Sequence, residues 1–482
     1  MIEINEKSSL TASAQSGSVV GVLIVVHNRK VELFRLLCSL FYSDYQPFDV
    51  LVLDDNSNED LSDVVRDFSV EYIRIEENIG FVAGMTKGLR HLMQKGKYRY
   101  LWVLDSDLEV APDALRHLVK AMSGNEEIGA AGCVIYNTHN RNVVVESGAG
   151  VDLRTGVVTA RNCNAVNPSL EKLIDVDFIA SGGGGTLINV RAILAAGLHD
   201  YRHFFLWEDT DYCLCLKRCG FRVVVVSAAI VYHPPFTEKR NPNIYAYYGV
   251  RNPLLTVAKH ASNASLPFFL FGNLSRCLRI ALLMRLSGCQ GFAGLTFKGI
   301  TDFIAGRFGK ADLVQIETAM PLDADTGLRA ENLVFLIGTG EVNAIETAMS
   351  ALRVAGVAEI VLVIQTYRQT LLEGAAADSL LTYDDHVPAA IREYLRVGMR
   401  MLKRGGCIVN TDLKVASPLS YFAARVYDWD FSTRIFRRSP LGLFAIWKLG
   451  LSVVLGKLLA LLFLPSVLFA ALKHRSKDPE LP

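Results

Sequence analysis

Two aspartates one residue apart, Asp105 and Asp107, stand where the apolar run 100–104 stops. Carboxylates at alternate positions can meet a hard divalent cation, and magnesium or manganese takes such oxygens together with those of a diphosphate. A cation so held would neutralise charge on a departing nucleoside diphosphate. Asp-Ser-Asp alone is also ordinary turn chemistry; its place directly after a strand sets it apart. A second group, Asp54-Asp55-Asn56-Ser57, follows the strand-like run 49–53. An acid there can accept a hydrogen bond from a nucleobase N–H or a ribose hydroxyl, and the same residues equally favour a turn. A third group, Trp207-Glu208-Asp209-Thr210-Asp211, lies between an aromatic run and an apolar helix. Crowded carboxylates raise one another's pKa, so one of them could serve as general base toward an acceptor hydroxyl, with the Trp207 face open to a sugar. His233 closes the apolar segment 223–232, where it completes a metal site, contacts diphosphate or is structural. The glycines 182–185 lack the Lys-Ser/Thr of a P-loop. They either let backbone approach a sugar or make a tight turn.

These residues need strands that end together. Runs 19–26, 49–53, 72–75 and 100–104 read as buried strands, with helical spacing at 32–41, 62–68 and 80–93 between them. The order βαβαβαβ predicts a doubly wound α/β sheet, whose ligands lie beyond the carboxyl ends of the strands. Residues 128–158 are richer in short strands and turns, 210–219 read as helix and 221–226 as strand. Residues 245–308 are helical with basic residues such as Arg251, Lys259, Arg276 and Arg279, a pattern suited to a membrane surface or to a packed subdomain. After a linker at 323–329, strands 333–337, 360–364 and 407–410 alternate with helices 344–352 and 389–402. The apolar stretch 441–472, interrupted by Lys448, Lys457 and Pro465, is long enough for a membrane span or an interfacial hairpin, with the basic tail 473–477 on the cytoplasmic side.

Composition sets outer limits. Of 482 residues, 51% are hydrophobic and 21% charged, so a large core can be buried in two or three domains. A net charge of +1 supplies no field that would draw the chain to nucleic acid. Nine scattered cysteines fit a reducing cytosol better than a disulfide framework. Cys213, Cys215 and Cys219 lack the paired spacing of a zinc site. Residues 1–18 lack the basic start and apolar run of a signal peptide, so the catalytic part is expected at the cytoplasmic face of the membrane.

The ordered set resembles the family-2 glycosyltransferases with the GT-A fold, and within them the rhamnosyltransferase-like branch, from about residue 19 to 310. The carriers are Val25-Val26-His27-Asn28-Arg29, Asp54-Asp55-Asn56-Ser57, Asn78-Ile79-Gly80-Phe81 with Gly84, Asp105-Ser106-Asp107, Trp207-Glu208-Asp209-x-Asp211, His233 and Tyr247-Tyr248-x-x-Arg251-Asn252. The resemblance implies donor binding by His27, Arg29, Asp55, Asn78, Gly80 and Asp105. It implies acceptor binding by Trp207, Glu208 and Asp211, a magnesium or manganese ion at Asp107 and His233, and Asp209 as general base of a single inverting displacement. Its donor would be a nucleotide sugar, rhamnose on dTDP or a UDP-hexose. Its acceptor would be a glycan or lipid-linked glycan in cell-surface polysaccharide synthesis. The expected fold class is α/β. A polar tail (1–18) precedes a GT-A doubly wound, Rossmann-like domain (19–240), followed by a helical, membrane-surface region (241–320). A second α/β unit (330–440) and an apolar C-terminal segment (441–475) complete the chain.

The second α/β unit resembles the later half of class I methyltransferases through His386-Val387-Pro388, Tyr394-Leu395-Arg396 and Leu402-Lys403-Arg404-Gly405-Gly406, with Ile337-Gly338-Thr339-Gly340 as an abbreviated glycine loop. Gln365 and Thr366 stand where that family carries an acid, which implies an inactive unit. The alternatives are a bifunctional enzyme that also uses S-adenosylmethionine, a non-catalytic glycan-binding protein, and a nucleotidyltransferase. The last would want a glycine- and base-rich triphosphate loop where His27-Asn28-Arg29 stands.

Overall fold

The computed structural model describes residues 20–163, 165–179, 185–233, 242–286, 290–313, 333–338, 342–365, 377–383, 390–411, 419–420, 423, 425–430, 435–439 and 446–475. The tail 1–18, glycines 182–184, the linker 323–329, Thr339, Gly340, Thr366, residues 386–388 and 441–445 lie outside the described residues.

The first unit alternates strands and helices: β1 (Val20–Val26), α1 (Lys30–Phe41), β2 (Phe48–Asp54), α2 (Ser62–Arg66), β3 (Val70–Arg74), α3 (Phe81–Gln94) and β4 (Tyr100–Asp105). There follow β5 (Glu109–Val110), α4 (Ala114–Ser123), β6 (Ile128–Asn137), β7 (Val144–Glu146), β8 (Ala149–Asp152), β9 (Val157–Ala160), β10 (Leu173–Asp175), β11 (Thr186–Asn189), α5 (Val190–Ala196), a 3-10 turn (Tyr201–His203), α6 (Glu208–Arg218) and β12 (Arg222–His233). The sheet order is β10-β12-β6-β11-β4-β1-β2-β3. Every residue of β1 is buried, as a central strand covered on both faces must be. Val22, Ile24, Trp102 and Leu104 pack toward α1 and α4, and Leu23, Val25 and Val103 toward α3 and α6.

Doubly wound order holds for β1 to β4, which are all parallel. Beyond β4 the sheet is mixed, because β11 enters antiparallel to both β4 and β6. β12 then runs parallel to β6. The strand expected at 221–226 continues to His233, past a register shift between Val226 and Ile230.

The helical region folds as α7 (Pro242–His260), α8 (Leu266–Leu286) and α9 (Gln290–Ala305). Its core is shared with the C-terminal helix, since Leu254, Leu274 and Ile300 pack with Val467 and Ala470. The second α/β unit is β13 (Leu333–Ile337), α10 (Val342–Val354), β14 (Glu359–Gln365), β15 (Ser379–Tyr383), α11 (Ala390–Arg404), β16 (Cys407–Asn410), β17 (Val426–Asp430) and β18 (Ile435–Arg438). Its strand order is β15-β14-β13-β16-β17-β18, with only β18 antiparallel. Helix α12 (Ile446–His474) runs unbroken through Pro465, so no hairpin forms within it. Both α8 and α12 are long and apolar enough to cross a membrane.

Candidate functional site

Strand register brings the first acids together. Val25 of β1 pairs with Asp105 of β4, so the segment after β1 lies beside the segment after β4. Two-residue β5 then pairs with the end of β12, Glu109 opposite Tyr232. That draws Asp107 to His233, whose Nε2 is 3.5 Å from Asp107 Oδ1. The possible ligand atoms of Asp105, Asp107 and His233 all lie within 4.8 Å of one another. Two hard oxygens and an imidazole nitrogen suit a divalent cation. Arg29 donates to the other oxygen of Asp107. Burial, then the charges of Asp107, Asp209 and Glu208, hold the Asp105 carboxyl well above the usual range. A cation would relieve that repulsion.

The donor-side residues form a separate, tightly bonded loop. Asp55 is buried, and its two oxygens accept the backbone N–H groups of Ile79 and Gly80 at 2.8 and 2.9 Å. The expected contact of Asp55 with a base would therefore compete with these bonds. His27 Nδ1 donates to the Asp55 carbonyl (2.8 Å), and its Nε2 accepts from the Asn28 amide (2.9 Å). Asn78 donates to the Asp55 carbonyl (3.3 Å) and accepts from Lys310 (3.1 Å). Gly80 has φ +88°, and a Cβ there would stand 2.2 Å from a ring carbon of Phe204. Glycine is thus required on both backbone and steric grounds. Asp54 is structural: Ser57 N–H, Tyr72 hydroxyl and Arg74 all donate to it.

The third acidic group sits on strained backbone. Phe204, Leu206 and Trp207 have φ of 62°, 67° and 72°. Bulky residues avoid this region, at about 1–3 kcal/mol each. Trp207 is the N-cap of α6, which puts Glu208 and Asp209 in the first turn. Glu208 is buried, and its Oε2 has no hydrogen-bond partner among the described residues. Burial, then the Asp209 charge, raise its pKa well above the ordinary value.

Asp211, two residues on, has different surroundings. It is buried, bound by Lys259 and by His260 at 2.9 Å. Burial alone would raise its pKa, but Lys259, His203 and His260 outweigh it and hold the carboxyl far below the usual range. Lys259 also donates to Asp200 at 2.9 Å, which Arg202 grips through both oxygens. An acceptor contact by Asp211 would require these bonds to break. Cys213, Cys215 and Cys219 do not converge: Cys213 is buried, Cys219 faces the Ala195 carbonyl, and Cys215 lies 4.0 Å from His260. Asp211, Cys215 and His260 could together approach a metal, but Lys259 and His260 already take both oxygens of Asp211, whereas Arg29 takes only one of Asp107.

Sequence reasoning missed the Asp200–Arg202–Lys259–His260 network, whose members are up to 60 residues apart. It also missed Glu146 on β7. Glu146 Oε1 is buried without a hydrogen-bond partner among the described residues, and burial, then the charge of Asp209, push its carboxyl up to about 7. A lone acid on a short strand carries no motif that would have found it.

Residues 21–150 match the model of glycosyl transferase family 2. That stretch contains Asp55, Asn78, Gly80, Asp105 and Asp107 and stops short of Asp209 and His233. Over 246 residues the chain is 22% identical to a chondroitin synthase of Escherichia coli, covering 45% of this chain and 35% of that protein. Over 98 residues it is 30% identical to a hyaluronan synthase of Pasteurella multocida, covering 19% of this chain and 10% of that one. The chain thus spans about a third or less of these relatives. Among solved structures, GalNAc-T7 with UDP, GalNAc and Mn2+ aligns with a TM-score of 0.44 at 17% identity, over 54% of this chain and 50% of that one.

Proposed function

We propose that residues 20–233, braced by α7, form an inverting, metal-assisted glycosyltransferase. It moves a sugar from a nucleoside-diphosphate donor to a hydroxyl of a glycan or lipid-linked glycan in polysaccharide synthesis. The family-2 match supports the class. The observation that carries the reading is the convergence of Asp105, Asp107 and His233 at one edge of the sheet, with Asp209 close enough to load the Asp105 carboxyl.

A magnesium or manganese ion held by Asp107 and His233, with Asp105 beside it, would supply charge neutralisation at the leaving diphosphate. Arg29 adds a fixed positive charge there. Asp209 takes the proton of the acceptor hydroxyl, and that oxygen forms the new bond to the anomeric carbon. The bond from that carbon to the diphosphate oxygen breaks, and its electron pair leaves with the nucleoside diphosphate. One displacement inverts the centre. Asp55, Asn78 and Gly80 shape the donor loop, His27 orders its base, and Trp207 and Glu208 face the acceptor. Rhamnose or another hexose is the transferred sugar.

The same reading places the protein on the cytoplasmic face of a membrane. What supports the membrane surface, though not the side, is the exposed apolar stripe of α12, with Trp447, Val454, Leu458, Leu462 and Phe469 each more than half exposed. Lys457 is exposed midway along the helix, which suits a helix lying in the interface with its charge snorkelling to water.

Asp209→Asn tests the chemistry. Manganese-dependent nucleotide binding is expected to persist while sugar transfer is lost. Full turnover in that variant would remove Asp209 from the base role.

A further inference from the structure

We infer that Asn252, oriented by Arg251, is a positioning residue that holds the loop before Asp209 in a backbone conformation it would otherwise leave. The inference rests on the reading of Asp209 as the base. Phe204, Leu206 and Trp207 all have positive φ, a conformation that side chains other than glycine and asparagine resist. They immediately precede Glu208 and Asp209. Backbone bent in this way turns its carbonyls toward one point, and the Asn252 amide nitrogen stands at that point. Its two N–H groups are shared among the carbonyls of His203, Phe205 and Leu206, each 2.8 Å from the nitrogen. Arg251 adds bonds to the carbonyls of Arg202 (3.0 Å) and His203 (3.1 Å). Both side chains are buried, so water does not substitute for them.

The orientation of the amide is itself specified. Arg251 Nε donates to Asn252 Oδ1 at 3.0 Å, which leaves the NH2 group facing the loop. Arg251 is anchored in turn on the Gly309 carbonyl at 2.9 Å, and Gly309 N–H returns to the Arg202 carbonyl at 2.9 Å. A carboxylate in place of the amide would set oxygen against three carbonyl oxygens. The clamp also reaches the donor side. The Phe204 ring it places closes against Gly80 and stacks on Tyr248 (centroids 5.5 Å apart). Lys310, next to Gly309, bonds Asn78. The donor loop keeps its own bonds from the Ile79 and Gly80 N–H groups to Asp55, so the clamp sets the base while nucleotide binding does not depend on it.

The test uses the full chain and three variants: the near-isosteric Asn252→Asp, Asn252→Ala, and Asn252→Ala combined with Leu206→Asn. Thermal unfolding reports folding, and calorimetry with UDP, dTDP and GDP plus manganese reports nucleotide binding. Turnover is nucleoside diphosphate released from the matching nucleotide sugar with a cell-envelope glycolipid extract as acceptor. Asn252→Asp is expected to lower turnover about 100-fold, as displacement of a catalytic group by an ångström does. Nucleotide affinity should stay within about threefold. Asparagine accepts positive φ, so Leu206→Asn should raise turnover about tenfold in the Asn252→Ala background and by less in the native one. Folded Asn252→Asp with turnover within about threefold of native overturns the inference. So does a parallel loss of nucleotide affinity. If Asn252→Asp does not fold, the Leu206→Asn comparison decides, and absence of recovery overturns it. An active Asp209→Asn would sink the base reading itself, whereas an inactive Asp209→Asn beside an active Asn252→Asp would sink the clamp alone.

Discussion

Glu208 and Asp211 occupy the same turn of α6, are both buried, and differ in what faces them. Asp211 meets Lys259 and His260 and is held ionised. Glu208 meets the charge of Asp209, and its carboxyl is pushed toward the neutral form. The contrast extends outward from the helix. Asp200 joins the Asp211 side, where the Arg202 hydrogen bond and the Lys259 charge overcome burial and bring it down to about 2. Asp105 and Glu146 join the Glu208 side, raised by burial and by neighbouring acids. A buried acid that finds a cation serves as framework. An acid whose burial is compounded by other acids is left wanting a proton, a metal or a substrate, and perturbed groups of that kind gather at functional sites.

The largest test of this contrast lies at its centre. Asp209→Asn should reduce transfer by about 10²–10⁴-fold, the usual worth of a general base, in an assay of nucleoside diphosphate release. On the framework side, Lys259→Met should destabilise by about 3–5 kcal/mol at pH 7, because Asp200 and Asp211 would remain buried without their shared cation. Urea unfolding reads that effect. The penalty should shrink in acid: depressed carboxylates stabilise above their unfolded pKa, and that contribution is lost as pH falls toward about 2 for Asp200.

Glu146→Gln should act in the opposite sense. Its carboxyl is raised from 4.5 to about 7, so the folded state binds the proton more tightly than the unfolded chain, and stability falls as pH rises between those values. The amide removes that loss and should stabilise the protein at pH 8 by up to about 3 kcal/mol. The gain should vanish below pH 4.5, and a gain independent of pH would contradict the assignment. The smallest effect belongs to an exposed pair. Arg222→Ala, which breaks the bridge to Asp175, should cost under about 1 kcal/mol by the same unfolding measurement.

One side of the contrast is readable in the sequence. Strands β1, β2 and β4 are short, mostly apolar runs ending in polar clusters, so the pattern alone assigns Arg29, Asp55, Asp105 and Asp107 to a common edge. The framework side is hidden. Asp200, Lys259 and His260 are joined only in space, and no periodicity links a loop acid to a lysine near the end of α7. The positive φ angles at Phe204, Leu206 and Trp207 are equally hidden, because sequence preference argues against them. Tyr247-Tyr248-x-x-Arg251-Asn252 is recognisable as a motif, but its hydrogen bonds to the loop follow from the tertiary fold and not from spacing. In the second α/β unit, β13, β14 and β16 fall where apolar runs predict them. β18 escapes such a reading, since its antiparallel pairing with β17 carries no local signature.

The central claim is that Asp105, Asp107 and His233 serve a nucleoside diphosphate through a metal. Thermal unfolding with UDP, dTDP and GDP, each with and without manganese, tests it on the native chain and on Asp107→Ala, because a ligand that binds only the folded state raises its stability. A shift with one nucleotide that requires manganese and disappears in Asp107→Ala is the predicted result. No shift with any nucleotide, or an equal shift in Asp107→Ala, would contradict it.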